Sequence, residues 1–128
     1  MDVVLDTCAL VWAASSPEQL SEPARQILAD PANGFVVAAI SLWEIAVKVK
    51  RGSIDLGFPV TELAARLRSQ ANVTVLSVDV ETWLANVDLE WDHRDLADRT
   101  IVAVARARDL PIVTCDQRIA TFYAKTLW

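Results

Sequence analysis

The stretch VVLDTCALVWAA, residues 3–14, constrains the fold more than any other part of the sequence. It begins with an apolar, largely β-branched run that is typical of a short buried strand, and this strand ends at Asp6. From Cys8 to Ala14 the composition favours a short helix. The stretch therefore predicts a strand and then a helix, with a carboxylate at the junction between them.

The same alternation of strand and helix recurs along the chain. Further strands are predicted at Phe35–Ala39, Val73–Val78 and Ile112–Cys115, with a terminal strand at Leu127–Trp128. Helices are predicted at Ala24–Ala29 after a Ser21 cap, Ile45–Lys50 after a Ser41-x-x-Glu44 capping box, Glu62–Gln70, Val80–Val87 after an Asp79 cap, Asp95–Asp109, and briefly after Asp116. Because each strand is a nearly continuous apolar run, we expect helices on both faces of the sheet. The predicted class is α/β: a three-layer α/β/α sandwich with a central, mostly parallel sheet.

Length and composition limit the class of protein. The chain has 128 residues, of which 53% are hydrophobic and 23% are charged, so we expect one domain over residues 1–128. No apolar run approaches the ~18 residues of a membrane span, and no basic segment at the N-terminus suggests a signal peptide. These features predict a cytoplasmic protein that does not associate with membranes.

Several common kinds of site are excluded by the counts of particular residues. The three glycines, at positions 34, 52 and 57, form neither G-x-G-x-x-G nor a P-loop. Cys8 and Cys115 lack the C-x-x-C spacing of a zinc site, and we expect both to be reduced thiols in the core. The net charge of −5 opposes indiscriminate binding to nucleic acid, unless bound cations offset the acidic residues locally.

Four acidic residues are expected at one edge of the sheet. Asp6 and Asp116 follow the first and fourth strands, and Glu44 lies in the first turn of the helix after the second strand. Asp98 is brought level with them because its helix rises about 16 Å and the next strand returns about 16 Å. Ligands of parallel sheets bind at this edge, beyond the carboxyl ends of the strands.

The four acids have two interpretations. Glu44 and Asp98 each stand at the fourth position of a capping-box pattern, and Asp116 fits an ordinary turn, so each could serve only the local backbone. Asp6 is harder to explain in this way, because a carboxylate directly after a buried strand needs a hydrogen bond, an ion pair or a metal. Four hard oxygen ligands without nearby Cys or His suit Mg²⁺ or Mn²⁺. Together they predict metal-dependent hydrolysis of phosphodiester bonds.

The sequence resembles the PIN-domain ribonucleases, and among them the VapC-type toxins of bacterial toxin–antitoxin pairs. The matching segments span nearly the whole chain and are Val4-Leu5-Asp6-Thr7, Ser41–Lys48, His93-Arg94-Asp95 with Asp98-Arg99, and Leu110–Asp116. The resemblance implies that Asp6, Glu44, Asp98 and Asp116 form a catalytic, metal-binding acidic site, with Asp6 and Asp98 as the main ligands. It implies supporting roles for Thr7 and Thr114. Two departures from the family are Leu96-Ala97, where Pro-Phe is usual, and Cys8, where a polar residue is common.

The resemblance also implies a structured RNA substrate, a cognate antitoxin that occupies a groove of the protein, and a homodimer. Arg99 and Arg118 flank the expected ligands and are candidate contacts for RNA phosphates. His93 is interpreted as a neighbour of a structural Asp95 rather than as a general base, because a metal-bound water makes a separate base dispensable.

Two other functions are consistent with part of this pattern. A phosphatase of the haloacid dehalogenase type shares the segment Val4-Leu5-Asp6-Thr7, but it requires a second Asp where this chain has Cys8. A non-catalytic PIN-fold module that binds RNA or protein is the main alternative, and the presence of all four acids argues against it.

Overall fold

The computed structural model describes all 128 residues, and its central element is a sheet of five parallel strands in the order β3-β2-β1-β4-β5. The first strand lies in the middle of the sheet, between β2 and β4. The strands are β1 (Asp2–Leu5), β2 (Gly34–Ala38), β3 (Val73–Leu76), β4 (Ile112–Val113) and β5 (Thr126–Leu127). The helices are α1 (Thr7–Ser15), α2 (Glu22–Ala29), α3 (Ala39–Lys50), α4 (Val60–Ser69), α5 (Val80–Asp88), α6 (Leu96–Arg108) and α7 (Gln117–Phe122).

Each face of the sheet carries its own apolar core. Val3 and Leu5 of β1 pack on one side with residues of α1, α2 and α4, whereas Val4 packs on the other side with residues of α6 and α7. This separation follows from the strand geometry, in which successive side chains point to opposite faces. The predicted three-layer α/β/α sandwich is therefore confirmed, and its sheet is parallel throughout.

Several predicted helix starts are confirmed by cap hydrogen bonds. The side chains of Ser21, Asp79 and Asp95 each accept a hydrogen bond from a backbone N–H in the first turn of α2, α5 and α6. At its other end α6 stops at Asp109, whose φ of 55° is left-handed. Asp tolerates this conformation better than most residues, and Pro111 follows two positions later.

The capping box predicted at Ser41 is wrong. α3 begins at Ala39, directly after β2, and its first residue is preceded by Ala38, which offers no side-chain cap. Ser41 therefore lies inside the first turn and is fully buried. Its hydroxyl accepts a hydrogen bond from Thr7, so it joins α3 to α1 instead of starting α3.

Candidate functional site

Asp6 lies at the centre of the carboxyl edge of the sheet, between β1 and α1. One of its carboxylate oxygens accepts a hydrogen bond of 2.7 Å from the N–H of Ala9, so Asp6 caps α1. The other accepts a hydrogen bond from the hydroxyl of Thr114, which follows the neighbouring strand β4. The residue is 4% exposed, and no Lys or Arg forms an ion pair with it.

The environment of Asp6 disfavours its negative charge. Burial raises the pKa of this carboxyl to about 6, and the charges of Asp98 and Asp116 act in the same direction. The hydrogen bonds from Thr114 and Ala9 lower the pKa but do not compensate for burial. Asp6 therefore stands near other carboxylates and has no Lys or Arg of its own to balance its charge.

Asp98 is the second partly buried carboxylate of the site and lies in the first turn of α6. Burial raises its pKa, as do the charges of Asp95 and Asp116, whereas a hydrogen bond with His93 lowers it. The Nε2 atom of His93 is 2.7 Å from Oδ2 of Asp98. Sequence reasoning did not identify this contact, because nothing in the spacing of the two residues sets the direction of the histidine ring.

Asp116 and Glu44 occupy the same edge but have further partners. Asp116 caps α7 through the N–H of Arg118, and its own N–H donates to Thr114. Glu44 is 14% exposed in its side chain and lies 3.7 Å from Nζ of Lys48, one turn further along α3. The charges of Asp98 and Asp116 thus both raise the pKa of Asp6, and the charge of Asp116 raises that of Asp98, whereas Glu44 acts on the neighbouring Cys8.

The two cysteines are not core residues, contrary to expectation. Cys8 is exposed and Cys115 is intermediate in burial, and both are free thiols. Desolvation and the charge of Asp6 raise the pKa of both, that of Cys8 to about 11. Burial and the charge of Asp6 thus both favour the neutral thiol over the thiolate at this edge.

Thr7 and Thr114 have different roles, although both were expected to support the acids. The hydroxyl of Thr114 contacts Asp6, as described above. The hydroxyl of Thr7 donates instead to Ser41, at 3.2 Å, so the expected contact with a carboxylate is not seen. Thr7 points between α1 and α3 because it is the first residue of α1, where the chain turns away from the strand.

Arg99 is not a free contact for RNA, and this expectation is corrected by the structure. Its guanidinium makes five hydrogen bonds of 2.5–3.2 Å, one to the side chain of Asn86 and four to carbonyl oxygens between residues 86 and 93. These use all five N–H donors of the group. Arg99 therefore fastens this segment to α6, whereas the Arg118 side chain is 71% exposed and its Nε lies 3.9 Å from Oδ1 of Asp116.

The donor set suits a hard divalent cation only in part. All the acids at this edge offer oxygen, and the buried charge of Asp6 lacks a balancing cation. However, no three His, Cys, Asp or Glu side chains are gathered closely enough to hold a metal ion. The four acids are thus not arranged as four direct ligands, because Glu44, Asp98 and Asp116 are each held by other partners. One or two carboxylates with several waters is the arrangement that these residues fit, and Mg²⁺ commonly binds in this way.

Two proteins of Mycobacterium tuberculosis are similar to this chain in sequence or in fold. Ribonuclease VapC22 of Mycobacterium tuberculosis is 29% identical over 117 residues, which cover 91% of this chain and 88% of that protein. The structure also resembles VapC20 of M. tuberculosis, described as a sarcin-ricin loop cleaving toxin, with a TM-score of 0.69 and 18% identity over 93% of both chains.

Two further solved structures have the same fold. A toxin–antitoxin complex from Klebsiella pneumoniae has a TM-score of 0.64 and 17% identity, over 98% of this chain and 96% of the other. VapBC2 of Rickettsia felis, bound to a DNA fragment from its promoter, has a TM-score of 0.70 and 15% identity, over 100% and 98%. The model of the PIN domain family matches residues 3–125. This match covers nearly the whole chain, which therefore belongs to the PIN domain family.

Proposed function

We propose that this protein, as a single domain over residues 1–128, is a metal-dependent endoribonuclease that acts as the toxin of a VapBC-type toxin–antitoxin pair. The observation that carries the proposal is the meeting of Asp6, Asp98 and Asp116 at one edge, where their charges disfavour one another. The similarity to ribonuclease VapC22 supports the same reaction. Structured RNA is the proposed substrate.

The acidic residues have distinct roles in the proposed mechanism. Asp6 and Asp98 would hold Mg²⁺ or Mn²⁺ with water, while Asp116 and Glu44 would orient further waters. The bound ion would ionise a water for attack on the phosphodiester and stabilise the leaving oxygen. Thr114 holds Asp6 in one orientation, and the cap to Ala9 fixes its other oxygen, so little reorganisation of this carboxylate is needed. Arg118 is placed to bind a flanking phosphate.

An antitoxin is the proposed partner, and an apolar groove on the opposite face from α6 supports this. The groove has a volume of about 350 Å³ and lies among α1, α2 and α4, with Leu10, Leu28, Phe58, Leu63 and Arg66 in its lining. The similar structure from Klebsiella pneumoniae, which is described as a toxin–antitoxin complex, supports this proposal.

A homodimer is proposed on a second surface. Val80, Trp83, Leu84 and Val87 repeat at helical spacing on α5, and all four are exposed. Exposed Trp43 and Leu96 border the same surface. Together the six side chains form an exposed apolar surface, and such surfaces on soluble domains mark sites of protein–protein interaction.

The experiment that tests the proposed function is cleavage of total RNA by the purified protein in Mg²⁺, Mn²⁺ or EDTA. Asp6→Asn and Asp98→Asn are expected to lose cleavage by roughly 100-fold or more, since each removes a ligand charge. Asp79→Asn is the matched control, because Asp79 also caps a helix after a strand but contacts none of the site residues. Binding of RNA without metal-stimulated cleavage would favour the non-catalytic module.

A further inference from the structure

His93 is the chain's only histidine and has a defined position beside Asp98. Its side chain is 10% exposed, and its ring lies against Trp91 with 4.8 Å between the centroids. Trp91 in turn stacks on Phe122 of α7, at 4.7 Å and an interplanar angle of 12°. The imidazole is thus supported on one side by an aromatic pair and directed on the other at a carboxylate.

The backbone that carries His93 is also fixed. Residues 89–95 form neither helix nor strand, but the guanidinium of Arg99 donates to the carbonyl oxygens of Leu89, Trp91 and His93. Arg99 is the residue after Asp98 on α6. The same helix turn therefore carries the carboxylate and holds the loop that brings the imidazole to it.

This arrangement has a consequence for Asp98. The Nε2···Oδ2 contact of 2.7 Å engages one carboxylate oxygen, and the structure gives Oδ1 no hydrogen bond. A carboxylate in the first turn of a helix can otherwise rotate toward the free N–H groups or into solvent. With Oδ2 held, Oδ1 is the atom left to face the edge that carries Asp6 and Asp116.

We propose that His93 is a positioning residue that holds Asp98 through Oδ2 so that Oδ1 serves the acidic edge. This rests on the proposed function, since the role of Asp98 there is to bind Mg²⁺ or Mn²⁺ with Asp6. Hydrogen-bond partners of metal ligands typically contribute 10–100-fold to metal affinity or activity. The contact does not require the imidazole to take a proton from water, so this role is distinct from that of a general base.

Metal binding without RNA tests the proposal directly. Free Mn²⁺ would be measured by its paramagnetic resonance in titrations of the wild type, His93→Ala, His93→Gln and Asp79→Asn. We expect His93→Ala to weaken Mn²⁺ binding by roughly 10–100-fold. His93→Gln should stay close to the wild type, because its amide nitrogen can donate to the same oxygen. Asp79→Asn should keep its Mn²⁺ affinity, because Asn also caps helices well and Asp79 contacts none of the site residues.

A second measurement does not depend on any variant at His93. Since the chain has one histidine, its ring protons give a single set of magnetic resonance signals. Mg²⁺ should shift these signals in the wild type and leave them unchanged in Asp98→Asn. Equal Mn²⁺ binding by the wild type and His93→Ala, or no shift on Mg²⁺ addition to a protein that binds Mg²⁺, would overturn the role of His93 alone. Failure of the wild type to bind either ion would overturn the proposed metal dependence as well.

Discussion

At the scale of single residues, the buried carboxylate of Asp6 destabilises the folded state when it is ionised. Its pKa rises from the ordinary 3.8 to about 6, so between these values the folded chain binds more protons than the unfolded chain. The free energy of unfolding therefore falls as pH rises from about 4 to about 6. A shift of this size corresponds to about 3 kcal/mol at pH 7.

Asp6→Asn should accordingly be more stable than the wild type at pH 7, by about 1–3 kcal/mol, because it removes the buried charge and keeps an oxygen for Ala9. The difference should disappear near pH 4. Urea unfolding at both pH values measures it. Asp79→Asn should change the free energy of unfolding in the opposite direction. Hydrogen bonds from Thr82 lower the pKa of Asp79, so removal of this charge should make the variant less stable at pH 7. A gain for Asp6→Asn that is equal at both pH values would contradict the explanation.

The two arginines predicted to contact RNA should now behave differently. Arg99→Ala leaves several buried carbonyl oxygens without a donor and should lower the free energy of unfolding by about 2–4 kcal/mol. Arg118→Ala should leave the free energy of unfolding unchanged. It should reduce by about one the slope of the logarithm of the RNA-binding constant against the logarithm of the salt concentration. Denaturation curves and binding at several salt concentrations distinguish the two. Loss of stability in Arg118→Ala would show that its exposed side chain is structural.

At the scale of helices and strands, helix caps could be predicted correctly from the sequence where the capping residue stands just before the helix at the protein surface. Asp79 and Ser21 are of this kind. Ser41-x-x-Glu44 has the same pattern, but Ser41 lies within the first turn of α3 instead of before it, because β2 leads into that helix without a connecting residue. The pattern alone cannot reveal this, since the burial of Ser41 depends on α1 packing against it. The exposure of Cys8 was missed because it too depends on how elements pack against α1, which the local sequence does not show.

The exposed apolar stripe of α5, formed by Val80, Trp83, Leu84 and Val87, leads to a prediction about the oligomeric state. Leu84→Glu combined with Val87→Glu should convert a dimer to a monomer, because two charges would be buried at the proposed interface. Light scattering after gel filtration measures the mass. Glu81→Lys changes the charge of the same helix away from the stripe and should leave the dimer intact. A wild-type protein that is already monomeric at high concentration would contradict the proposed interface.

At the scale of the whole molecule, the parallel topology explains why the acidic edge could be predicted. Strand ends and helix starts share one edge in such a sheet, so Asp6 and Asp116 could be placed there from the order of elements, and Asp98 from the lengths of its helix and the next strand. Their partners could not, since the directions of His93, Lys48 and Arg99 are set by packing between elements distant in sequence.

The structure contains no helix with the length and apolar character of a membrane span.

Bound metal should stabilise the whole fold. At a Mn²⁺ concentration about 100 times its dissociation constant, linkage predicts about 2.7 kcal/mol, or roughly 10 °C in the unfolding midpoint. Calorimetry with Mn²⁺ or EDTA measures the shift, and Asp6→Asn should show much less of it. A shift of equal size in that variant would place the ion elsewhere on this acidic protein, whose net charge is −5.

The central position of β1 has a consequence for synthesis on the ribosome. β1 and Asp6 leave the ribosome first, but Thr114 and β4, which complete the site, lie 108 residues later. A nascent chain thus carries Asp6 long before Thr114, which holds its carboxylate, has been made. Chains truncated before Ile112 should therefore be inactive however long they are left to fold. The ordering of the strands would itself delay the toxic activity until translation is nearly finished.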